Sequence, residues 1–348
     1  MSEVKKRKNS KGKSSLGDDE SVKKEISGDL SVKKKDKKKD KGGVVQDGKS
    51  DGDVASTASG TDDPPPKFGP MPKLSPHRLW SRSALIIGLM TVVWWNSSKK
   101  NETPFAGVTE DIRYRSMKTK CSATFDKHVS KFAGCIPNHC GRLVTDDLIS
   151  PEEVFALNDL VTRGFSEAKP AAAAVLDFSA GMLKFNGRSV DVYKLNKTKP
   201  IFHREDLLLF QSVKSKLMRM VSSYFGVDYW SIHLAAPVYL SRLTGKGSQH
   251  KTDEYWHITV HQEVHEPFDY STVLFLSDFN KDCEGGRLIF TDGDSTNRTV
   301  DPRKGRAMSF TSGTENRHYN ERVTKGARFA LTMGFTCDST KARKDPAF

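Results

Sequence analysis

The chain has 348 residues and is basic, with 56 Lys and Arg against 43 Asp and Glu and a formal net charge of +13. Its length accommodates one sizeable domain with appendages, and a hydrophobic content of 36% leaves part of the chain unable to join a core. Five cysteines in a chain of this length exclude a small disulfide-dense scaffold, whose fold depends on its bridges.

An N-terminal tail, residues 1–77, consists mainly of Lys, Asp, Ser and Gly and has almost no aromatic residues. Such a segment cannot bury enough apolar surface to offset its chain entropy, so it is predicted to be disordered. The lysine blocks at 33–35 and 37–39 are of the kind that binds anionic lipid or nucleic acid. Interspersed Asp residues weaken such a surface. We interpret the tail as a solvated arm and expect no nucleic-acid partner.

A hydrophobic segment, residues 79–98, follows a Pro-rich hinge. Its charge-free part is about 16 residues long, slightly short for a hydrocarbon core that takes about 20. Arg78 and Arg82 before this part, and tryptophans at both ends of the segment, suit the two membrane interfaces. The segment predicts a single transmembrane signal anchor that holds the protein in the lipid bilayer.

All four Asn-x-Ser/Thr sequons come after that segment, at Asn96, Asn101, Asn196 and Asn297. Because N-glycosylation marks secreted or lumenal surface, this distribution favours a type II membrane protein of the endoplasmic reticulum or Golgi with a lumenal C-terminal domain. Asn196 and Asn297 are the predicted acceptors, since Asn96 lies near the membrane and Pro104 follows the Asn101 sequon.

Residues 99–120 form a predicted polar stalk, and ordered structure is expected from about Cys121. The cysteines are compatible with one or two disulfides in an oxidising lumen, but their pairing cannot be deduced from the sequence. Three of them cluster where a bridge would tie down the stalk. The five are Cys121, Cys135, Cys140, Cys283 and Cys337.

Two helices are predicted in the first half of the globular region. Ser150, the proline after it and Glu153 form a capping-box start, and this helix is expected to end at Gly164. The second covers 205–224, with apolar side chains near one face, and ends at Gly226.

Short β runs follow these helices and are separated by Gly, Pro, Asp and Asn turns. Helices followed by six or more closely spaced strands predict an α+β domain built on a β-sandwich or barrel. We place a helical support region at 121–235 and the strand-rich domain at 236–340. The predicted strands cover 236–243, 255–264, 271–276, 287–291, 307–311 and 328–335.

One strand-like stretch, residues 255–265, holds three histidines in alternating register. Successive side chains of a strand point to opposite faces, so one face would be apolar and the other would carry metal ligands. The four-residue histidine spacing also fits one face of a helix, but the β-branched residues in the stretch favour a strand. The residues on the polar face are His257, Thr259, His261, Glu263 and His265.

His261 and Glu263 lie two residues apart on that face, so both are able to reach one metal ion. His318 lies on a later segment that comes alongside in a closed barrel, and two His with one carboxylate are the facial triad of non-haem Fe(II) oxygenases. Arg328, at the start of the last apolar strand, is suited to hold a carboxylate. Each residue alone is more often structural, and their joint order favours an iron site.

These residues belong to a pattern that resembles the prolyl-4-hydroxylase-like oxygenases. The resemblance covers roughly residue 135 to the C-terminus and is most specific towards the end. The motifs that carry it are Phe268-Asp269-Tyr270, Leu274-Phe275-Leu276-Ser277, Gly285-Gly286-Arg287, Val300-Asp301-Pro302-Arg303-Lys304-Gly305-Arg306, Phe310-Thr311-Ser312-Gly313, His318 and Gly326-Ala327-Arg328.

The resemblance implies a double-stranded β-helix (jelly-roll) core with supporting helices. It also implies Fe(II), 2-oxoglutarate and an oxidation that releases succinate and carbon dioxide, with ascorbate as an accessory reductant. By the same resemblance His318 is the distal iron ligand, Arg328 binds the distal carboxylate of 2-oxoglutarate, and Tyr239 is a further contact of the co-substrate.

The chain departs from the family at the proximal ligands, where His-x-Asp is expected a few residues after Tyr-Trp. Without gaps those two positions fall on Thr259 and His261, whereas a shift of two residues gives His261 and Glu263 and keeps the same face towards the cavity. Three arrangements stay open. They are His261 and Glu263 with His318, a site that uses His257 or His261 without a carboxylate, and no catalytic iron.

The leading functional prediction is a membrane-anchored Fe(II)- and 2-oxoglutarate-dependent dioxygenase that hydroxylates a protein or another secretory-pathway substrate. One alternative is a catalytically inactive jelly-roll that binds a peptide or glycan. Another is a membrane tether whose basic arm contacts lipid or nucleic acid.

Overall fold

The computed structural model describes residues 76–97, 102–196, 198, 201–293 and 296–346. The predicted tail lies outside them apart from its last two residues. The helices are α1 Pro76–Ser97, α2 Ala123–Val129, α3 Pro151–Gly164, α4 Val192–Asn196, α5 Arg204–Phe225 and α6 His261–Val264. The strands are β1 Glu102–Ala106, β2 Arg115–Thr119, β3 Cys140–Thr145, β4 Ala173–Asp177, β5 Met182–Phe185, β6 Arg188–Asp191, β7 His233–Thr244, β8 Tyr270–Phe275, β9 Cys283–Glu284, β10 Leu288–Thr291, β11 Asn297–Val300, β12 Ala307–Thr311, β13 His318–Asn320 and β14 Lys325–Thr336.

Helix α1 coincides with the hydrophobic segment predicted as an anchor, and many of its apolar side chains, such as Trp80 and Trp94, are exposed. Among the residues that the structure describes, no helix combines the length and the apolar content that a membrane crossing requires. A helix is thus present over the described part of the segment 79–98, and the membrane anchor stays a prediction.

Two sheets form the core of the domain. The larger sheet has ten strands, in the order β2-β3-β12-β8-β14-β7-β4-β5-β6, with β9 paired to β14. The smaller sheet has the order β1-β11-β10-β13 and is antiparallel except for the pair of β1 and β11. An apolar cluster with members from both sheets, including Val273, Phe310 and Phe290, packs between them. This arrangement confirms the predicted α+β class and is consistent with the jelly-roll that the resemblance implies.

The register of the larger sheet separates its two faces. Leu274, Leu331 and Leu240 lie side by side on neighbouring strands and join the main hydrophobic cluster with α3 and α5. The adjacent row, which contains Thr332 and Tyr239, points to the opposite face, because side chains alternate along a strand. That second face lines the cavity described below.

Both predicted helices of the support region are confirmed. Helix α3 begins with a capping box in which Ser150 accepts from the Glu153 N–H, while the Glu153 carboxylate accepts from the Ser150 N–H at 2.9 Å. Helix α5 ends at Gly226, whose φ of 72° is the left-handed conformation that glycine adopts without strain. Arg163 of α3 donates to both carboxylate oxygens of Asp206 at the start of α5, at 2.9 and 2.7 Å. This bidentate pair connects the two helices.

Ordered structure begins before Cys121, because the residues predicted as a stalk contribute β1 and β2 to the two sheets. Two disulfides join Cys121 to Cys140 and Cys135 to Cys337. The first ties the chain after β2 to β3, as the cysteine cluster suggested. The second spans 202 residues and fixes the end of β14 to the segment after α2.

Five of the six predicted strands are confirmed, and the strand predicted over 255–264 is wrong. Within it only Thr259 pairs with another segment, through a bridge to His318. The chain then turns into α6, where the His265 N–H donates to the His261 carbonyl at 2.7 Å. The reason is the lack of a partner, since β13 at the sheet edge is three residues long. Without a neighbour to bond, the β-branched pattern does not produce a strand.

Candidate active site

A cavity of about 560 Å³ opens beside the inner face of the larger sheet. Strands β7 and β14 of the larger sheet, β13 of the smaller sheet, helix α6 and the loop before it contribute side chains to its wall. The chemically active side chains in the wall are Tyr239, Asp253, Tyr255, His261, His318 and Arg328.

His318 is the first residue of β13 and is 2% exposed. Its Nδ1–H donates to the Asn316 carbonyl at 2.8 Å, because a carbonyl oxygen only accepts. This bond fixes the tautomer and leaves the lone pair on Nε2. Burial, together with the nearby Arg142 guanidinium and against the hydrogen bond to Asn316, lowers the pKa of His318 to about 4. The imidazole is therefore neutral at pH 7.

His261 begins α6, and its ring meets that of His318 edge to face with centroids 4.5 Å apart. Its Nδ1 lies 2.8 Å from the Ser271 hydroxyl, which in turn lies 2.6 Å from the Ser312 hydroxyl. Burial lowers the pKa of His261 well below its usual value, and His318 adds to this effect. The structure thus brings two neutral imidazoles together, the form in which histidine binds metals.

Arg328 projects from β14 into the same cavity and is 3% exposed. Its guanidinium lies over the Phe275 ring at 5.0 Å, and its Nε has no hydrogen-bond partner among the described residues. Gly286, with φ of +77°, leaves the room that the Arg328 side chain occupies, since a Cβ there would lie 3.3 Å from Arg328 Cβ. Burial lowers the pKa of Arg328 to about 10. Arg328 is therefore a buried cation that can bind an anionic ligand.

Tyr239 of β7 is placed in the cavity wall as the resemblance implied, with its hydroxyl 3.3 Å from His265 Nδ1. Burial raises its pKa, so the hydroxyl keeps its proton at neutral pH. A protonated phenol is a hydrogen-bond donor for a ligand oxygen.

The other two residues singled out as ligands lie elsewhere. Glu263 is exposed and does not line the cavity. His257 is also exposed, and its Nε2 lies 2.8 Å from a Glu254 carboxylate oxygen. Both positions follow from the loss of the strand, because residues of a short helix and an irregular segment do not share the face that a strand would give them.

The structure favours the ungapped register, in which Thr259 and His261 occupy the two proximal positions. Thr259 exchanges backbone hydrogen bonds with His318, at 2.7 and 3.1 Å, and its hydroxyl faces the His318 carbonyl oxygen at 3.3 Å. His261, two residues on, is the side chain that faces His318. A threonine hydroxyl is a poor Fe(II) ligand, so Thr259 does not replace the missing histidine.

The donor set fits a divalent cation held by two imidazoles, and it lacks the carboxylate of the facial triad. Among the described residues, one group of three potential ligands has its donor atoms within 4.8 Å of one another, namely Cys121, Asp126 and Cys140. Its two cysteines are joined in a disulfide. Among the described residues, therefore, no carboxylate oxygen lies close enough to His261 and His318 to share a metal ion with them.

Several residues that shape the site were not identified as functional from the sequence. Ser271, Ser312 and Asn316 orient the two imidazoles, and Asp253 is buried in the cavity wall. Nothing in the sequence marks them, because β8, the end of β12 and the turn before β13 meet only in the folded sheets.

The predicted glycosylation sites also have definite positions. The Asn196 carboxamide oxygen, at the end of α4, accepts from the N–H groups of Ile201 and Phe202 at 2.5 and 2.9 Å. Asn297 begins β11 and pairs in register with Glu102. Their glycosylation stays a prediction.

Comparisons with known proteins identify the family of this chain. Residues 239–335 match the model of the 2OG-Fe(II) oxygenase superfamily. The chain is 36% identical over 285 residues to human 2-oxoglutarate and iron-dependent oxygenase domain-containing protein 3, covering 78% of this chain and 89% of the human protein. It is 33% identical over 159 residues to human prolyl 3-hydroxylase 1, covering 39% of this chain and 20% of that protein.

Among solved structures, a prolyl-4-hydroxylase from Pseudomonas putida is similar at 14% identity and a TM-score of 0.34, covering 62% of this chain and 97% of that one. A TM-score of this size supports no further argument. The sequence relatives are sufficient, and they confirm the predicted resemblance and the prediction of an oxygenase at the level of the family. This chain belongs to the 2OG-Fe(II) oxygenase superfamily, in the family of the 2-oxoglutarate and iron-dependent oxygenase domain-containing protein 3.

Proposed function

We propose that this protein is an Fe(II)- and 2-oxoglutarate-dependent dioxygenase that hydroxylates a protein substrate in the secretory pathway. The observation that carries the proposal is Arg328, a buried guanidinium without a carboxylate partner among the described residues, in one cavity with two neutral imidazoles. A buried unpaired cation is costly unless a ligand compensates it. A dicarboxylate co-substrate provides the missing anion.

The chain's own residues have separate roles in this proposal. His318 and His261 offer neutral nitrogens to a cation, and the Asn316 carbonyl and the Ser271 hydroxyl hold the two rings. Iron, when bound there, supplies the oxidising chemistry of the superfamily. Arg328 binds the distal carboxylate of 2-oxoglutarate through its planar fork of N–H donors, which fixes the position of the co-substrate.

The protein substrate and its compartment are part of the same proposal. A relative named for prolyl hydroxylation supports a protein substrate. The two disulfides support an oxidising compartment, since such bridges are rare in the reducing cytosol. The sequons after residue 95 agree with lumenal exposure of the domain.

Conversion of 2-oxoglutarate to succinate by the purified full-length protein with Fe(II) tests the proposal. We expect His318→Ala and Arg328→Ala to abolish succinate formation, because the first removes a metal ligand and the second removes the anion site. His257→Ala is the matched control, since this histidine is exposed outside the cavity, and we expect it to keep full turnover. Turnover that survives His318→Ala contradicts the proposed site.

A second candidate function is a binding module that takes up the dicarboxylate and does not turn it over. It is favoured by the absence of a carboxylate beside His261 and His318 among the described residues. Calorimetric binding of 2-oxoglutarate that depends on Arg328, together with no succinate formation at saturating Fe(II), would establish this function in place of the first.

A further inference from the structure

Asp253 is a buried carboxyl group in the wall of the candidate active site. It ends a 3-10 turn, Lys251–Asp253, in the loop between β7 and α6, and it is 5% exposed. Its Oδ2 has no hydrogen-bond partner among the described residues. The Thr252 hydroxyl reaches Oδ1 only at 3.5 Å. Asp253 is thus a lining residue of the cavity, and one of its two carboxylate oxygens is buried without a partner among the described residues.

The backbone holds this loop in place. The Asp253 N–H donates to the His250 carbonyl at 2.9 Å, and the Glu254 N–H donates to the Lys251 carbonyl at 3.2 Å. The His250 ring packs on Gly187 in the turn between β5 and β6, where a Cβ would lie 3.0 Å from the ring. Gly187 has a φ of +68°, a conformation that favours glycine. The two backbone hydrogen bonds fix the turn that carries Asp253.

Within the described part of the chain no cation pairs with Asp253 within 4.0 Å. Lys184 and Arg188 also line the cavity, and both are exposed, unlike Asp253. A buried carboxylate without a partner is costly, by several kcal/mol in typical proteins. The cavity therefore contains two buried groups of opposite charge, Arg328 and Asp253, and neither forms an ion pair with another of the described residues.

We propose that Asp253 is the specificity-determining residue of this cavity and that it receives the ammonium or guanidinium of a basic side chain of the substrate. Arg328 accounts for the dicarboxylate, which Asp253 would repel. Asp253 does not form a group with His261 and His318 at metal-ligand distance, so the structure disfavours a role on the cation. The location of the substrate in this cavity rests on the proposed function.

The cavity wall also offers apolar surface for a long aliphatic stem. Ala173, Val175 and Leu243 line it, together with Tyr255. Lysine and arginine bury their methylene stems against apolar surface while the charged end finds a polar partner. An acidic or short polar side chain gains nothing from either feature.

Binding of two small probes to the full-length protein tests the proposal without iron or turnover. The probes are Nα-acetyl-lysine methylamide and Nα-acetyl-norleucine methylamide, which share the stem and differ in the ammonium. By calorimetry we expect the lysine probe to bind the wild type roughly tenfold more tightly or better, as for a hydrogen bond between charged groups. Asp253→Asn should remove this preference.

Glu263→Gln is the matched control, because this acid is exposed outside the cavity, and it should leave the preference unchanged. Asp253→Asn should not lower the melting temperature of the ligand-free protein, whereas loss of a structural carboxylate would. Equal affinity of the wild type for both probes overturns the proposal, and this comparison needs no variant. A fall in Co(II) affinity of Asp253→Asn with the lysine preference intact overturns it in favour of a metal ligand.

The outcome is separable from that of the proposed function. Succinate formation without a lysine preference refutes the role of Asp253 and leaves the dioxygenase standing. A lysine preference without succinate formation supports the role of Asp253 and refutes the dioxygenase.

Discussion

The imidazole rings of His261 and His318 meet edge to face with their centroids 4.5 Å apart, at the point where α6 approaches the first residue of β13. The Asn316 carbonyl holds one ring and the Ser271 hydroxyl lies against the other. Two oriented, neutral imidazoles are suited to bind a metal ion. They do not complete a facial triad, because the residue beside them is Thr259, which is a poor Fe(II) ligand.

Metal binding should depend on this pair. We expect His261→Ala and His318→Ala each to lower Co(II) affinity by tenfold or more, because each removes one of two nitrogen donors. The measurement is a titration followed by the visible absorption of Co(II). Retained affinity in both variants would place the metal elsewhere. His257→Ala should bind Co(II) with the affinity of the wild type. A loss of Co(II) affinity in this variant would support His257 as a metal ligand.

Restoring the family's proximal pair should strengthen the site. The double substitution Thr259→His with His261→Asp gives two imidazoles and one carboxylate around the cavity, which is the facial triad. We expect Fe(II) affinity and succinate formation to rise at least tenfold over the wild type. The single substitution Glu263→Ala should change neither, because the side chain is exposed. A double variant that is folded but no better than the wild type would contradict the ungapped register.

Arg328 should destabilise the ligand-free protein and be required for 2-oxoglutarate binding. Its charge is buried with no carboxylate partner among the described residues, and its pKa falls to about 10 as a result. We expect Arg328→Met to raise the free energy of unfolding of the ligand-free protein by about 1 to 3 kcal/mol in urea melts. The same variant should lose 2-oxoglutarate binding. Arg317→Met, at an exposed arginine outside the cavity lining, should do neither, and a destabilised Arg328→Met would indicate a structural role.

Acid should destabilise the metal-free protein through His318. Its folded-state pKa is about 4 and its ordinary value is 6.5, so the unfolded state binds the proton more tightly. Stability from this group is complete above pH 6.5 and is lost as the pH falls to 4, by about 3 kcal/mol. Urea melts across this range test the slope. His318→Gln removes the titrating group and should flatten the curve, and an equally steep curve in the variant would assign the effect to other groups.

The two disulfides should contribute unequally to stability. In the chain-entropy account, a bridge over 202 residues stabilises by about 5 kcal/mol and one over 19 residues by about 3. We therefore expect the pair Cys135→Ser and Cys337→Ser to lower the free energy of unfolding more than Cys121→Ser and Cys140→Ser. The reverse order in urea melts would show that local strain or denatured-state structure outweighs loop length.

Local sequence was sufficient for elements whose stability comes from their own residues. The capping box at Ser150 predicted the start of α3, and Gly226 predicted the end of α5, because these signals act within one turn of a helix. Strands with long neighbours, such as β7 and β14, also followed their sequence patterns. His318 and Arg328 were identified as site residues on a different ground, their order along the chain and the family resemblance.

The sequence by itself determined the three long helices, five of the strands and the chemical character of the site, and the tertiary structure decided which side chains meet. The stretch around His261 reads as a strand, yet the three-residue β13 offers one bridging partner and the chain turns into a helix, so Glu263 faces solvent. The pairing of Cys135 with Cys337 and the burial of Asp253 were equally hidden. Each depends on contacts between segments far apart in the chain, which no local pattern contains.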